Sequence, residues 1–179
     1  MSNQRSSIPD AATALPGGWL ALDQQLCFAL YASSLAMTKA YKPLLAPLGL
    51  TYPQYLVLLV LWEGDGITVS QLGERLTLDS GTLTPLLKRL EAQALVQRLR
   101  DVADERRVLL RLTAAGRALR TQAEAVPQTI ACATACDLQQ IGALAAQLHQ
   151  LRRQLQHASS PQAGPMVGTP VVPPRQPKD

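Results

Sequence analysis

Three cysteines, Cys27, Cys132 and Cys136, carry the reactive chemistry of this 179-residue chain. A thiol attacks a peroxide as its thiolate, and only where the oxidant can reach it. Cys27 stands in Leu26-Cys-Phe-Ala-Leu-Tyr31, which reads as the start of a first helix. There the free N–H groups and the macrodipole favour an anion. Tyr31 lies one turn on, on the same face, and Tyr41 and Tyr52 are the other phenols that can bond a sulfur. Oxidation would first give a sulfenic acid, which condenses with a second thiol. Cys132 and Cys136 are four apart and can share a helix face, so either is a candidate partner. The plain alternative makes Cys27 a small buried hydrophobe, the commonest fate of a free cysteine. A zinc site built from Cys132, Cys136 and a histidine is a weaker reading, because His149 and His157 lie too far along the chain for a usual motif. No metal or cofactor is expected. No catalytic base or oxyanion arrangement accompanies Cys27, which argues against an enzyme such as a thiol peroxidase.

These thiols must be positioned by helices. Aromatic residues are only 4% of the chain, and Leu and Ala dominate, which favours helix over strand. The length fits one ordinary domain with tails, or two very small domains. Three cysteines without a secretory signal fit a reducing cytoplasm. The longest apolar run, Tyr55–Trp62, is far too short to span a bilayer, so no membrane partner is expected.

Residues 1–18 read as a flexible arm, with Pro9, Pro16 and a Gly17-Gly18 pair. Residues 158–179 hold six prolines and read as a disordered tail. The body, 19–157, is helical. A long apolar stretch over 20–46 ends at Pro43, Pro47 and Gly49, and a second helix starts near Pro53 and stops at Gly64-Asp-Gly66. Thr68-Val-Ser-Gln71 is a capping box opening a short helix with Leu72 and Leu76. Asp79 or Ser80 caps the next, where Leu83, Leu86, Leu87 and Leu90 keep helical spacing and Pro85 is tolerated early. The period then changes: Val96–Leu99 and Val108–Leu112 read as a β-hairpin around Asp101–Arg107. Thr113 caps a long helix that Pro127 kinks or interrupts, and a last helix spans about 137–156.

A short helix, a turn, a second helix and a hairpin form a winged helix-turn-helix. The fold class is therefore mainly α with a small β-hairpin wing. Charge peaks in the same block. Residues 75–120 hold ten Lys/Arg against five acids, which leaves the rest of the chain at −1 out of a total of +4. A focused basic block suits phosphate binding. The second helix of such a motif puts its N-terminal residues at base edges in the major groove. Here those are Asp79, Ser80, Gly81, Thr82 and Thr84, with Lys88 and Arg89 placed for phosphates. The hairpin tip, Asp104-Glu105-Arg106-Arg107, can lay Arg106 and Arg107 in the adjacent minor groove. The bland reading is a core helix with solvated arginines.

Over about residues 22–156 the chain resembles the MarR superfamily of transcription regulators. The matching stretches are Leu72-Gly-Glu-Arg-Leu76, Leu78–Glu91, Asp104-Glu-Arg-Arg107 and Leu112-Thr-Ala-Ala-Gly116. Leu26–Tyr31 and Gly49-Leu-Thr-Tyr-Pro-Gln-Tyr55 are similar to the branch of organic-hydroperoxide-sensing repressors, OhrR, in its two-cysteine form. That resemblance implies a homodimeric MarR-like winged-helix repressor. Its dimerisation helices would lie at about 19–46 and 114–157, with a DNA-reading head at about 53–112. It implies that Cys27 is the sensing thiol and that Tyr41 and Tyr52 reach it from the partner subunit. It further implies that Cys132 resolves the sulfenic acid as an intersubunit disulfide, with Cys136 a bystander. Operator DNA is the expected partner, organic hydroperoxides the expected inducer, and an organic hydroperoxide resistance gene the expected target. The rival within the superfamily is a regulator released by a small aromatic ligand.

Overall fold

Leucine at helical spacing builds most of this protein's interior. The computed structural model describes residues 20–101, 104 and 107–158. The expectations for the 1–18 arm, for 159–179 of the tail and for Arg106 fall outside those residues. A 3-10 turn at Leu22–Gln24 leads into α1 (Leu26–Leu45), and a second follows at Ala46–Leu48. Then come α2 (Tyr52–Glu63), β1 (Ile67–Thr68), α3 (Val69–Leu76) and α4 (Ser80–Ala92). The hairpin strands are β2 (Val96–Arg100) and β3 (Val108–Leu112). Three helices complete the chain: α5 (Ala114–Ala123), α6 (Ala125–Ala133) and α7 (Leu138–Ala158). The mainly helical winged architecture matches the expectation.

The helix starts follow the expected chemistry. Thr68 and Gln71 form the capping box of α3, Asp79 caps α4, and the Thr113 hydroxyl accepts the Gly116 N–H. A further capping box, Thr51 with Gln54, opens α2 with Pro53 in its first turn. Helix α2 is the hub of the core. Its Val57, Leu58 and Leu61 are almost wholly enclosed and share one cluster with Leu72, Leu83, Leu87, Leu90, Leu110 and Leu112.

Two elements differ from expectation. Beyond the hairpin, β1 adds a third strand in the order β1-β3-β2, pairing Ile67 with Leu110 and Thr68 with Leu109. The interruption expected at Pro127 is present but falls earlier, as a break at Glu124. Proline lacks the N–H that would bond the carbonyl four residues back, Ala123, and its ring crowds that carbonyl. So α5 ends at Ala123, and Pro127 sits in the first turn of α6, where it is tolerated.

The chain divides into two compact units between Thr134 and Ala135. The first holds α1–α6 and the sheet. The second holds α7, opened by Asp137, whose carboxylate accepts the Gln140 N–H at 2.7 Å. No residue of α7 is buried, and Leu138, Leu144, Leu148 and Leu155 are all exposed.

Candidate functional site

The turn between α3 and α4 is closed by backbone contact. The Leu78 N–H donates to the Gly73 carbonyl at 2.9 Å, and a Cβ on Gly73 would stand 2.8 Å from the Leu78 oxygen. Only glycine lets α3 approach this closely. Thr77, left-handed at φ 56°, ends α3 and redirects the chain. Helix α4 then turns Leu83, Leu86, Leu87 and Leu90 inward. Asp79, Ser80, Gly81, Thr82, Thr84, Lys88 and Arg89 are left exposed on its other side.

The polar groups at the start of α4 are organised among themselves. The Asp79 carboxylate accepts the Thr82 N–H and the Thr82 hydroxyl, both at 2.9 Å. These bonds hold its carboxyl below the usual carboxylate range. The Thr84 hydroxyl donates back to the Ser80 carbonyl at 2.7 Å. Asp79 and Thr82 thus fix the helix start. Lys88 and Arg89, one to two turns on, supply exposed positive charge.

In the wing, β2 and β3 pair from Val96 with Leu112 to Arg100 with Val108. The Asp101 N–H donates to the Arg107 carbonyl and the Arg107 N–H to the Asp104 carbonyl, each at 2.9 Å. Arg107 and Asp101 also face each other at 3.8 Å. An ion pair between Arg98 and Glu91 ties β2 to α4, lowering the Glu91 carboxyl and raising the Arg98 guanidinium through their shared hydrogen bond. At the wing base, the Asp65 carboxylate accepts the Leu112 N–H at 3.1 Å and Arg117 at 2.7 Å. Arg107 and Val108 line a groove with Thr68, Val69, Ser70 and Gln71, a stretch the sequence had suggested only as a helix start. The wing and the start of α3 therefore share one surface.

The thiols lie elsewhere. Cys27 is exposed in the first turn of α1, and Tyr31 one turn on is 62% exposed. Tyr41 and Tyr52 lie against each other at 4.6 Å between ring centroids, tilted by 39°, with Tyr55 at 5.9 Å from Tyr41. Burial, then the neighbouring Tyr52 and Tyr55, push the Tyr41 phenol up to about 12. Burial raises Tyr52 as well. These phenols therefore stay protonated as donors. Cys27 and Tyr41 are fourteen residues apart on one continuous helix, about 21 Å along its axis. The single chain thus gathers the tyrosines but does not bring Cys27 to them. Tyr52 also lines an apolar groove of about 530 Å³ with Leu35, Leu50 and Pro53, edged by Lys39 and Lys42. Cys132 is exposed in the last turn of α6, a helix that packs on α1. Cys136 is exposed beyond it. Among the described residues no group of three or more His, Cys, Asp or Glu is placed to hold a metal. Among the same residues no single helix is long and apolar enough to cross a membrane.

The sequence and the fold are similar to those of known proteins. The family described as transcriptional regulator SarA/Rot matches residues 39–122. The organic hydroperoxide resistance transcriptional regulator of Bacillus subtilis is 59% identical over 109 residues, 61% of this chain and 74% of that protein. The regulator TtmR of Methylorubrum extorquens is 53% identical over 134 residues, 75% of this chain and 69% of that protein. Among solved structures, reduced AbfR bound to DNA is similar, at 37% identity and a TM-score of 0.61, over 78% of this chain and 96% of that one. Overoxidized AbfR bound to DNA also has a TM-score of 0.61, at 39% identity, over 75% of this chain and 94% of that one. AbfR is a protein of Staphylococcus epidermidis. The helix-turn-helix with its wing, the thiol-bearing α1 and these likenesses converge: the chain belongs to the MarR superfamily of transcriptional regulators, in its organic hydroperoxide resistance regulator (OhrR) branch.

Proposed function

We propose that this chain is a cytoplasmic homodimeric repressor that holds operator DNA while Cys27 is reduced and releases it when an organic hydroperoxide oxidises Cys27. The observation that carries the reading is an exposed thiol in the first turn of α1, on a chain whose α3–α4 pair and wing form a basic reading head. The Cys27 thiolate attacks the terminal peroxide oxygen, an S–O bond forms as the O–O bond breaks, and the alkoxide leaves, becoming the alcohol by taking up the proton the thiol gave up. The resulting sulfenic acid condenses with the Cys132 thiol of the partner subunit, forming the S–S bond and expelling water. Cys136 is a bystander. The Tyr41 and Tyr52 phenols of the partner subunit, kept protonated, donate to the sulfur. The 21 Å span of α1, about fourteen residues of rise, favours a cross-subunit site over an intrachain one. Exposed Leu26, Tyr31 and Leu35 on α1, and Leu144, Leu148 and Leu155 on α7, supply the apolar surface for a dimer. The segments about 19–46 and 114–157 dimerise, and the head at about 53–112 reads DNA. Ser80, Gly81 and Thr84 meet base edges, and Lys88, Arg89 and Arg107 meet phosphates or the minor groove. The target is an organic hydroperoxide resistance gene. That the regulator from Bacillus subtilis bears that name, and that AbfR was solved on DNA both reduced and overoxidized, supports the reading.

The test is fluorescence anisotropy with the protein's own upstream DNA. Reduced protein should bind tightly, lose the DNA on near-stoichiometric cumene hydroperoxide, and regain it with a thiol reductant. Tight binding indifferent to peroxide sinks the redox reading. A second reading then takes its place: release by a small aromatic ligand. It is favoured by a cavity of about 310 Å³ between α2, α5 and α6, where Tyr55, Trp62 and Arg120 offer two rings and a cation.

A further inference from the structure

Among the described residues one polar side chain is buried in the otherwise apolar core. It is Gln54, 4% exposed. Burying an amide costs free energy unless its groups are paired, and here each is. Its carbonyl oxygen accepts the Thr51 N–H at 2.8 Å and the Thr51 hydroxyl at 2.9 Å. Its amide nitrogen donates to the Gln93 side-chain oxygen at 3.2 Å. The Gln93 amide nitrogen in turn donates to the Gly49 carbonyl at 2.8 Å. The two amides can satisfy all four contacts in only one orientation each.

The bridge joins two functional regions far apart in sequence. One end is the corner 49–54, which holds Tyr52 against Tyr41. The other is the C-cap of α4, where the Gln93 N–H also bonds the Arg89 carbonyl at 3.0 Å. Gln93 thus grips the tyrosine corner with both ends of its side chain while its backbone terminates the recognition helix. On the redox reading, a sulfur that gains or loses a bond to Tyr52 would shift that corner, and the Gln54–Gln93–Gly49 bonds give the shift a hydrogen-bonded route to α4.

We propose that Gln93 is a positioning residue that couples the redox state of the Cys27 site to the placement of the recognition helix. The inference rests on the redox reading above and names its transmission element. It needs no contact between Gln93 and DNA, peroxide or sulfur. Gln93 is exposed, so changing its side chain leaves no cavity, and Gln93→Glu also keeps the buried Gln54 amide paired.

The experiment compares wild type, Gln93→Met and Gln93→Glu. Met keeps the length and removes both side-chain bonds. Glu keeps an acceptor for Gln54 but cannot donate to Gly49. The readout is the ratio of operator dissociation constants, oxidised over reduced, with cumene hydroperoxide as oxidant. The thermal midpoint and the Cys27 disulfide on a non-reducing gel are followed in parallel. Both variants should form the disulfide and bind DNA when reduced, yet show a ratio smaller by about 2–30-fold, the range for substitutions along a coupling element. Should Gln93→Met fail to fold, Gln93→Glu carries the test. A wild-type ratio in a folded, oxidised variant overturns the proposal. A wild type that does not respond to peroxide removes the redox reading and this inference with it, and the wild-type arm alone identifies that case.

Discussion

The carbonyl oxygen of Leu95 lies 2.1 Å from where a Cβ on Gly116 would stand. That oxygen also accepts the Thr113 N–H at 3.1 Å, which pins the start of α5 to the root of the wing. Helix α2 grips the same residue, because the Trp62 indole donates to the Gly116 carbonyl at 2.9 Å.

Gly116→Ala should therefore damage the joint between α2, α5 and the wing. The obstacle is backbone, which cannot turn away like a side chain, so the cost sits at or above the upper end of about 1–3 kcal/mol for overpacking. A thermal unfolding scan checks this, and an unchanged midpoint would show that α5 slides freely.

The cysteines should separate cleanly. After organic hydroperoxide, Cys136→Ser should form a cross-linked dimer on a non-reducing gel, as wild type does. Cys132→Ser should form none, and Cys27→Ser should neither cross-link nor release DNA. Cross-linking that depends on Cys136 instead would reassign the resolving thiol.

Tyr41 sets an alkaline limit. An unfolded tyrosine ionises near 10, whereas Tyr41 is held protonated up to about 12. A raised acid contributes stability that is fully present below about 10 and is lost as pH rises towards about 12. Tyr41→Phe should be less sensitive to alkali across that window. Circular dichroism against pH reads the effect, and coincident alkaline transitions would refute it.

The Arg98–Glu91 pair behaves in the opposite sense. The Glu91 carboxyl is lowered, so the pair's contribution is complete above the ordinary carboxylate value of about 4.3 and is lost as pH falls through the lower folded value. Arg98→Ala should cost about 1 kcal/mol at neutral pH, since the pair is partly exposed. Its thermal midpoint should converge with wild type in strong acid. A deficit that persists there would point to lost packing rather than lost charge.

Local chemistry was legible in the sequence. Thr68 with Gln71, Asp79 and Thr113 each announce a helix start, because a cap is decided within three or four residues. The switch from helical to alternating period located the wing. Strand β1 was not legible: two residues carry no period, and their pairing with Leu109 and Leu110 depends on a register some forty positions away. The Thr51–Gln54 box was hidden beneath the stronger signal of Pro53. The break at Glu124 was displaced from Pro127 because a proline acts on the carbonyl four residues back. In the site, the exposed face of α4 followed from leucine spacing. That Asp79, Thr82 and Thr84 spend hydrogen bonds on one another needed coordinates.

The length of α1 has a genetic consequence. On the proposed mechanism a chain cannot complete its own sensor, because its thiol and its Tyr41 sit about 21 Å apart along one rod. Each sensor belongs to a pair of chains. Two defective alleles, one without Cys27 and one without Tyr41 and Tyr52, would therefore restore each other in a mixed dimer. In that dimer both defects fall on one of the two sensors and leave the other whole.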